Sequence, residues 1–272
     1  MVIRDFREFE RAGWEDPGIV NNYDSDISCV TSQAVDVLLD VAGLFEGSRL
    51  LDVATGAGYI ADAAARRGSE AVGVDFSAAQ VRLARTKYPT LRFEQADAIS
   101  LPFERNYFDA VVSGFGMCHV PDPDAALREA FRVLKPGGRI AFTVYDIPER
   151  AVALGAVYAA VRAHGTVDIG LPAGPDFFLL SNPDQSTAAL LRAGFGEPSV
   201  SQVPQTWRIS HPDELFEAIA RGSVRGGALL RAQTTGQVQA IKLALRETLA
   251  GYKRGEGYEV PAPAVLATAM KP

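Results

Sequence analysis

The segment LLDVATGAGYIADAAARRG, Leu50 to Gly68, decides how the rest of the chain is read. Leu50, Leu51 and Val53 form a short apolar run that breaks at Thr55-Gly56-Ala57-Gly58, and the text beyond is rich in alanine. An apolar run this short suits a buried strand, paired glycines permit a sharp turn, and alanine favours helix. The spacing therefore predicts strand, glycine turn and helix, the arrangement that presents backbone N–H groups to a ligand. Gly68 is placed to end that helix.

The alternation continues downstream. EAVGVD is a second predicted strand, and Ser77-Ala78-Ala79-Gln80 fits a capping box for a helix that runs to Lys87 and is closed by Pro89. LRFEQAD and YFDAVVSGFG are the third and fourth strands. Asp122-Pro123 opens a helix that ends at LKPGG, and RIAFTVYD is the next strand. Strands and helices in this rhythm make right-handed crossovers and a parallel sheet covered on both faces. Beyond Asp146 the text is helical to about His164, then a Gly/Pro loop, then a short helix to Gly194. SVSQVPQTWRI reads as one strand, residues 211–250 as helix, and AVLATAMK as a late strand.

Composition limits the function classes. The chain has 272 residues, 47% apolar and 22% charged, enough for a real core in one large domain. A net charge of −6 argues against a dedicated nucleic-acid binder. The longest apolar stretch, AVALGAVYAAV from Ala151, falls short of the roughly 18 residues a membrane span needs. The N-terminal text is charged and lacks a signal-peptide core, so a cytoplasmic location is expected. Cys29, Cys118 and the three histidines show no metal-ligand spacing, so no metal is expected.

In an open parallel sheet, ligands sit at the carboxyl ends of the strands. Those ends carry Thr55–Gly58, Asp75, Asp97 and Ser113-Gly114. Gly56 and Gly58 allow close approach of the backbone, and Asp75 is placed to accept from both hydroxyls of a ribose. Asp52, just before the turn, is within reach of a cationic amino group through water or the loop backbone; Asp97 is placed to meet an adenine amino group. Gly56-x-Gly58-x-x-Ala61 also fits the dinucleotide fingerprint. The added carboxylates favour a ligand carrying an ammonium and a sulfonium over a pyrophosphate.

The ordered stretches LLDVATGAGYIA, VGVDFSAAQVRLAR and FEQADAISLPFERNYFDAVVSGFGMCHVPDPDAALREAFRVLKPGGRI resemble class I S-adenosylmethionine-dependent methyltransferases. The branch they resemble holds the ubiquinone and menaquinone C-methyltransferases, and the resemblance covers roughly residues 45 to 146. It implies S-adenosyl-L-methionine as cofactor and methyl transfer to a small-molecule acceptor, at carbon, oxygen or nitrogen. It carries the family's glycine loop to Ala54, Gly56 and Gly58, its ribose acid to Asp75, its adenine-side residues to Phe76, Asp97 and Ala98, and its methionine-side backbone to Ser113. Thr55 and Gln80 complete this part of the candidate set. Ala54 stands where many members have glycine, a departure expected to change little.

The expected fold is α/β and Rossmann-like: a doubly wound, mostly parallel seven-stranded sheet with an antiparallel last strand and a helical cover. One domain over 1–272 is expected, with an N-terminal helical arm (1–44), a cofactor core (45–146) and two substrate-covering insertions (147–195 and 211–255). Tyr23 resembles the tyrosine that relatives fold over the cofactor, on an arm expected to be mobile. His119 is the candidate catalytic base. Phe177, Phe178, Leu179 and Leu180 suggest an apolar or aromatic acceptor, and a homodimer is allowed. Arg221, Arg225 and Arg231 read as a solvated helix face. The competing readings are an NAD(P)-dependent oxidoreductase and a non-catalytic S-adenosylmethionine-binding protein.

Overall fold

Ten strands carry the architecture of residues 5–272, which the computed structural model describes. They are β1 (Arg49–Val53), β2 (Glu70–Asp75), β3 (Arg92–Gln95), β4 (Phe108–Gly114), β5 (Leu134–Tyr145), β6 (Gly196–Val203), β7 (Thr206–Ile209), β8 (Lys253–Arg254), β9 (Gly257–Pro261) and β10 (Ala264–Met270). Seven form one sheet in the order β3-β2-β1-β4-β5-β10-β6. Strands β1 to β5 pair in parallel, whereas β10 runs antiparallel to both β5 and β6. The strand order reverses between β1 and β4, so the loops leaving those two strands flank the crevice where open α/β sheets take ligands.

Local chemistry sets the element ends. The Ser77 hydroxyl accepts from the Gln80 N–H at 3.1 Å and starts the helix Ala78–Lys87. Asp122 caps Pro123–Val133 through the Ala125 N–H, with proline at the first helical position. Gly68, at φ +87°, follows the helix Tyr59–Arg66 and sends its N–H to the Ala65 carbonyl.

Two stretches differ from the sequence expectation. Strand β5 begins at Leu134 and takes in the LKPGG text, because Gly137 N–H donates to the Lys271 carbonyl and Lys271 N–H to the Gly138 carbonyl. The expected strand SVSQVPQTWRI is two strands: β6 pairs with β10, while β7 joins a separate three-stranded sheet, β7-β9-β8. Pro204 stands in the gap between them, where a residue without an N–H cannot continue a ladder.

The chain divides into two compact units. The sheet unit comprises Thr31–Tyr145, Gly174–Val203 and Ala264–Pro272. Leu51, Val111, Phe108 and Phe142 are buried in one cluster of its core, and Leu38, Leu39, Leu50, Val112 and Leu266 in another. Each such side chain contributes about 1.5–3 kcal/mol by leaving water. The helical unit comprises the chain up to Val30, Asp146–Ala173 and Pro204–Pro263. Its core holds Val157, Leu215, Ile241, Leu245 and Leu249 together with Ile27 and Val30. Ile27 and Val30 of the N-terminal segment thus belong to this unit's core, and 174–203 groups with the sheet.

Candidate functional site

The loop after β1 is shaped by positive φ at three of its five positions: Ala54 (+56°), Gly56 (+54°) and Gly58 (+87°). At Gly58 a Cβ would also lie 2.7 Å from Phe93 Cζ, so both backbone and space demand glycine there. At Gly56 the nearest atom to such a Cβ is Gln80 Oε1 at 3.9 Å, so that side of the loop is open. Ala54 is not the neutral replacement expected from sequence: it holds a left-handed conformation that side chains disfavour.

Where the loop's backbone N–H groups go decides its chemistry. Thr55 donates to the Val74 carbonyl (2.9 Å), Gly56 to Asp75 Oδ2 (3.0 Å) and Gly58 to the Thr55 carbonyl (2.9 Å). At the start of the following helix, Ala61 donates to Asp52 Oδ2 (3.2 Å). These amides hold the loop to the protein itself, and the groups nearest them are two aspartates.

Asp75, at the end of β2, is 5% exposed and also accepts from the Ser77 N–H through Oδ1 at 2.9 Å. A carboxylate at this strand end has the two oxygens that a vicinal diol can bond. Asp52 is fully buried in β1. Its Oδ2 accepts from the Thr55 hydroxyl at 2.6 Å and from Ala61, while its Oδ1 has no hydrogen-bond partner. Loss of hydration chiefly, and the nearby Asp75 charge to a smaller degree, push this carboxyl up to about 7, against the opposing pull of Thr55 and Ala61.

The loop after β4 meets the same place. A Cβ on Gly116 would lie 2.4 Å from Ala54 Cβ and 2.9 Å from Ser113 Oγ. The Ser113 hydroxyl is buried and has no partner. Phe115 between them adopts φ +56°, an outlier for a bulky residue. On the other flank, Ala96 N–H donates to the Asp75 carbonyl, Gln95 Nε2 to the Phe76 carbonyl, and Ile99 N–H to Asp97 Oδ1. Phe76, Asp97 and Ala98 are half-buried beside the ends of β2 and β3.

The structure thus gathers Asp52, Ala54, Thr55, Gly56, Gly58, Asp75, Gln80 and Ser113 around one crevice, flanked by Phe76, Asp97 and Ala98. His119 lies in a turn after β4, with its ring edge-on to Phe177 at 5.6 Å. Tyr23 belongs to the helical unit, where its ring meets Trp14 edge-on at 5.5 Å. Sequence reasoning passed over Phe115, Gly116 and Tyr145. The glycines on either side of Phe115 were the available signal. Tyr145 carried none, because its neighbours come from distant segments: Phe115 at 4.7 Å and Phe177, stacked at 5.8 Å.

Residues 51–142 match a family model described as Methyltransferase domain. That third of the chain is similar to methyltransferase domains. Over 112 residues it is 38% identical to a demethylmenaquinone methyltransferase of Renibacterium salmoninarum, covering 41% of this chain and 47% of that protein. Over 141 residues it is 37% identical to the ubiquinone/menaquinone biosynthesis C-methyltransferase UbiE of Edwardsiella ictaluri, covering 48% and 56%. The chain therefore spans about half the length of the curated relatives it matches. In fold it is similar to phosphoethanolamine N-methyltransferase 2 of Haemonchus contortus, solved with S-adenosyl-L-methionine, at TM-score 0.59 and 20% identity over 100% of this chain and 61% of that one. The sheet order with its antiparallel β10 is the class I S-adenosylmethionine-dependent methyltransferase fold.

The crevice fits that cofactor. Asp75 suits its ribose, the open side of Gly56 admits its backbone-hugging part, and the buried, unpartnered Ser113 hydroxyl and Asp52 Oδ1 are polar atoms that a bare structural turn would not retain. Among the described residues no group of three or more His, Cys, Asp or Glu is placed to hold a metal ion. None of their helices is long and apolar enough to cross a membrane.

Proposed function

We propose that the chain is an S-adenosyl-L-methionine-dependent methyltransferase acting on a small-molecule acceptor. The observation that carries this reading is the loop's hydrogen bonding. Thr55, Gly56 and Gly58 spend their N–H groups on the protein, and Asp52 and Asp75 stand beneath them. A pyrophosphate would find these three donors taken and the Asp75 carboxylate beside them, which disfavours the nicotinamide alternative. A cationic ligand is favoured beside the same carboxylate.

In this reading Asp75 holds the ribose, Phe76, Asp97 and Ala98 the adenine, and Asp52 and Ser113 the methionine end, with Tyr23 as a candidate cover. The cofactor supplies a methyl group already activated on a sulfonium sulfur. The chain's task is to orient the acceptor along the transfer line and keep water away, so alignment supplies much of the rate. His119 is the candidate base for an acceptor that must lose a proton.

An apolar, ring-bearing acceptor is the class we assign. Phe115, Tyr145 and Phe177 pack ring against ring at the carboxyl ends of β4 and β5, with His119 at the edge, and flat unsaturated molecules stack well on such surfaces.

Calorimetry tests the cofactor: S-adenosylmethionine should bind, NADH should not, and Asp75→Ala should weaken binding by about 1.5–3 kcal/mol, as for hydrogen bonds to a charged group. Tight NADH binding, or an unchanged Asp75→Ala affinity, sinks the assignment. Screening metabolite extracts for a mass gain of one methylene then identifies the acceptor.

A further inference from the structure

Asp52 is an unusual resident of a binding loop's foundation. It is fully buried, one oxygen has no partner, and the other is shared between a hydroxyl and an amide. Among the described residues no basic side chain bonds to it. The charged groups on the surrounding elements are occupied or of the wrong sign. Asp75 on β2 is a second carboxylate; on the helix Tyr59–Arg66, Asp62 pairs with Arg66; at the far end of β4, Asp109 pairs with Lys135. A buried carboxylate without a counter-charge favours its neutral form. Its one direct link to the ligand crevice is the Thr55 hydroxyl, 2.6 Å away, on the loop that the ligand covers.

We propose that Asp52 holds a proton in the ligand-free protein and releases it to solvent when the cofactor's ammonium group arrives, so that cofactor binding is proton-linked. This rests on the cofactor reading above and adds a regulation of the same site. No bond to carbon is made or broken: the proton leaves Asp52, and the carboxylate left behind faces the incoming positive charge across a dry interior, where that attraction is strong. Burial that pushes the carboxyl up to about 7 places the exchange in the mildly acid to neutral range. Binding should therefore tighten by up to roughly tenfold per pH unit as pH rises toward about 7, and level off above it.

The probe is S-adenosylhomocysteine, the demethylated product, which keeps the ammonium and is not consumed. Its binding enthalpy is measured at about pH 6 and about pH 8 in two buffers of different ionisation heat, for the full chain and for Asp52→Asn. The expected result is release of close to one proton per ligand at the lower pH, little at the higher, and a pH-independent affinity in Asp52→Asn. Equal proton release in the variant and the parent assigns the proton to another group and overturns the proposal. Binding with a buffer-independent enthalpy at the lower pH also overturns it and leaves the cofactor reading intact. No binding at either pH rejects both.

Discussion

Ala54 and Gly58 share a left-handed backbone, yet only one of them has glycine's freedom. Replacing Ala54 by glycine removes a conformational strain of about 1–2 kcal/mol and adds unfolded-chain entropy worth about 0.5–1 kcal/mol, so a net gain near 1 kcal/mol is expected. The reverse change at Gly58 meets both φ +87° and Phe93 Cζ at 2.7 Å, and should cost about 2–4 kcal/mol. Urea midpoints read both. Asp52 gives a second prediction at this scale. Burial raises its carboxyl above the unfolded value, so the folded chain binds the proton more tightly. The stability this contributes is fully present in acid and lost as pH rises through about 7. Asparagine cannot ionise but still accepts from Thr55 and Ala61. Asp52→Asn should therefore gain on the parent steadily between about pH 4 and pH 7, by a few kcal/mol in all. A difference that stays flat across that range means Asp52 is charged throughout.

The loop before the helix Pro183–Arg192 is where an element, rather than a residue, controls the outcome. Its Phe177 stacks on Tyr145, and its Ser181 hydroxyl donates to the Tyr145 carbonyl at 2.5 Å, so the segment is fastened to the end of β5. Phe177→Ala removes the stack while the Ser181 bond remains. With an acceptor in hand, its KM should rise severalfold or more, while S-adenosylhomocysteine affinity stays unchanged. An equal loss of cofactor affinity would mean the aromatic group supports the loop instead. The elements that hold the cofactor crevice were legible because each rests on contiguous text: an apolar run, a cap such as Ser77 or Asp122, and a glycine. The aromatic stack was not, because Phe115, Tyr145 and Phe177 come from three separated segments and a left-handed phenylalanine leaves no periodic trace. The fate of SVSQVPQTWRI was hidden for a related reason. β6 and β7 have the same kind of strand text, and the partner strands β10 and β9, distant in sequence, assign them to different sheets.

Across the whole molecule, the chain passes between the sheet unit and the helical unit at residues 30/31, 145/146, 173/174, 203/204 and 263/264. Each unit has its own apolar core, so the two are expected to respond separately to damage. The N-terminal segment is the sharpest case. Ile27 is 4% and Val30 3% exposed within the helical core, and Gln205 Nε2 donates to the Val30 carbonyl at 2.9 Å. A loosely docked arm would bury neither side chain. Deleting residues 1–30 should therefore abolish the cooperative melting of the helical unit, since losing large buried side chains costs about 2–5 kcal/mol each. Apart from Tyr23, every cofactor candidate lies in the sheet unit, which should keep its ligand response. A ligand at about a hundred times its Kd stabilises by about 2.7 kcal/mol, enough to read as a shift in melting temperature. The truncated chain is expected to show that shift with S-adenosylhomocysteine. Tyr23→Ala in the full chain then isolates the tyrosine. Weaker binding in that variant, with both unfolding transitions intact, supports Tyr23 as a cofactor cover. Unchanged binding leaves its ring with a packing role in the helical unit, beside Trp14. A truncated chain that melts like the parent would show instead that the first thirty residues carry none of the helical unit's stability.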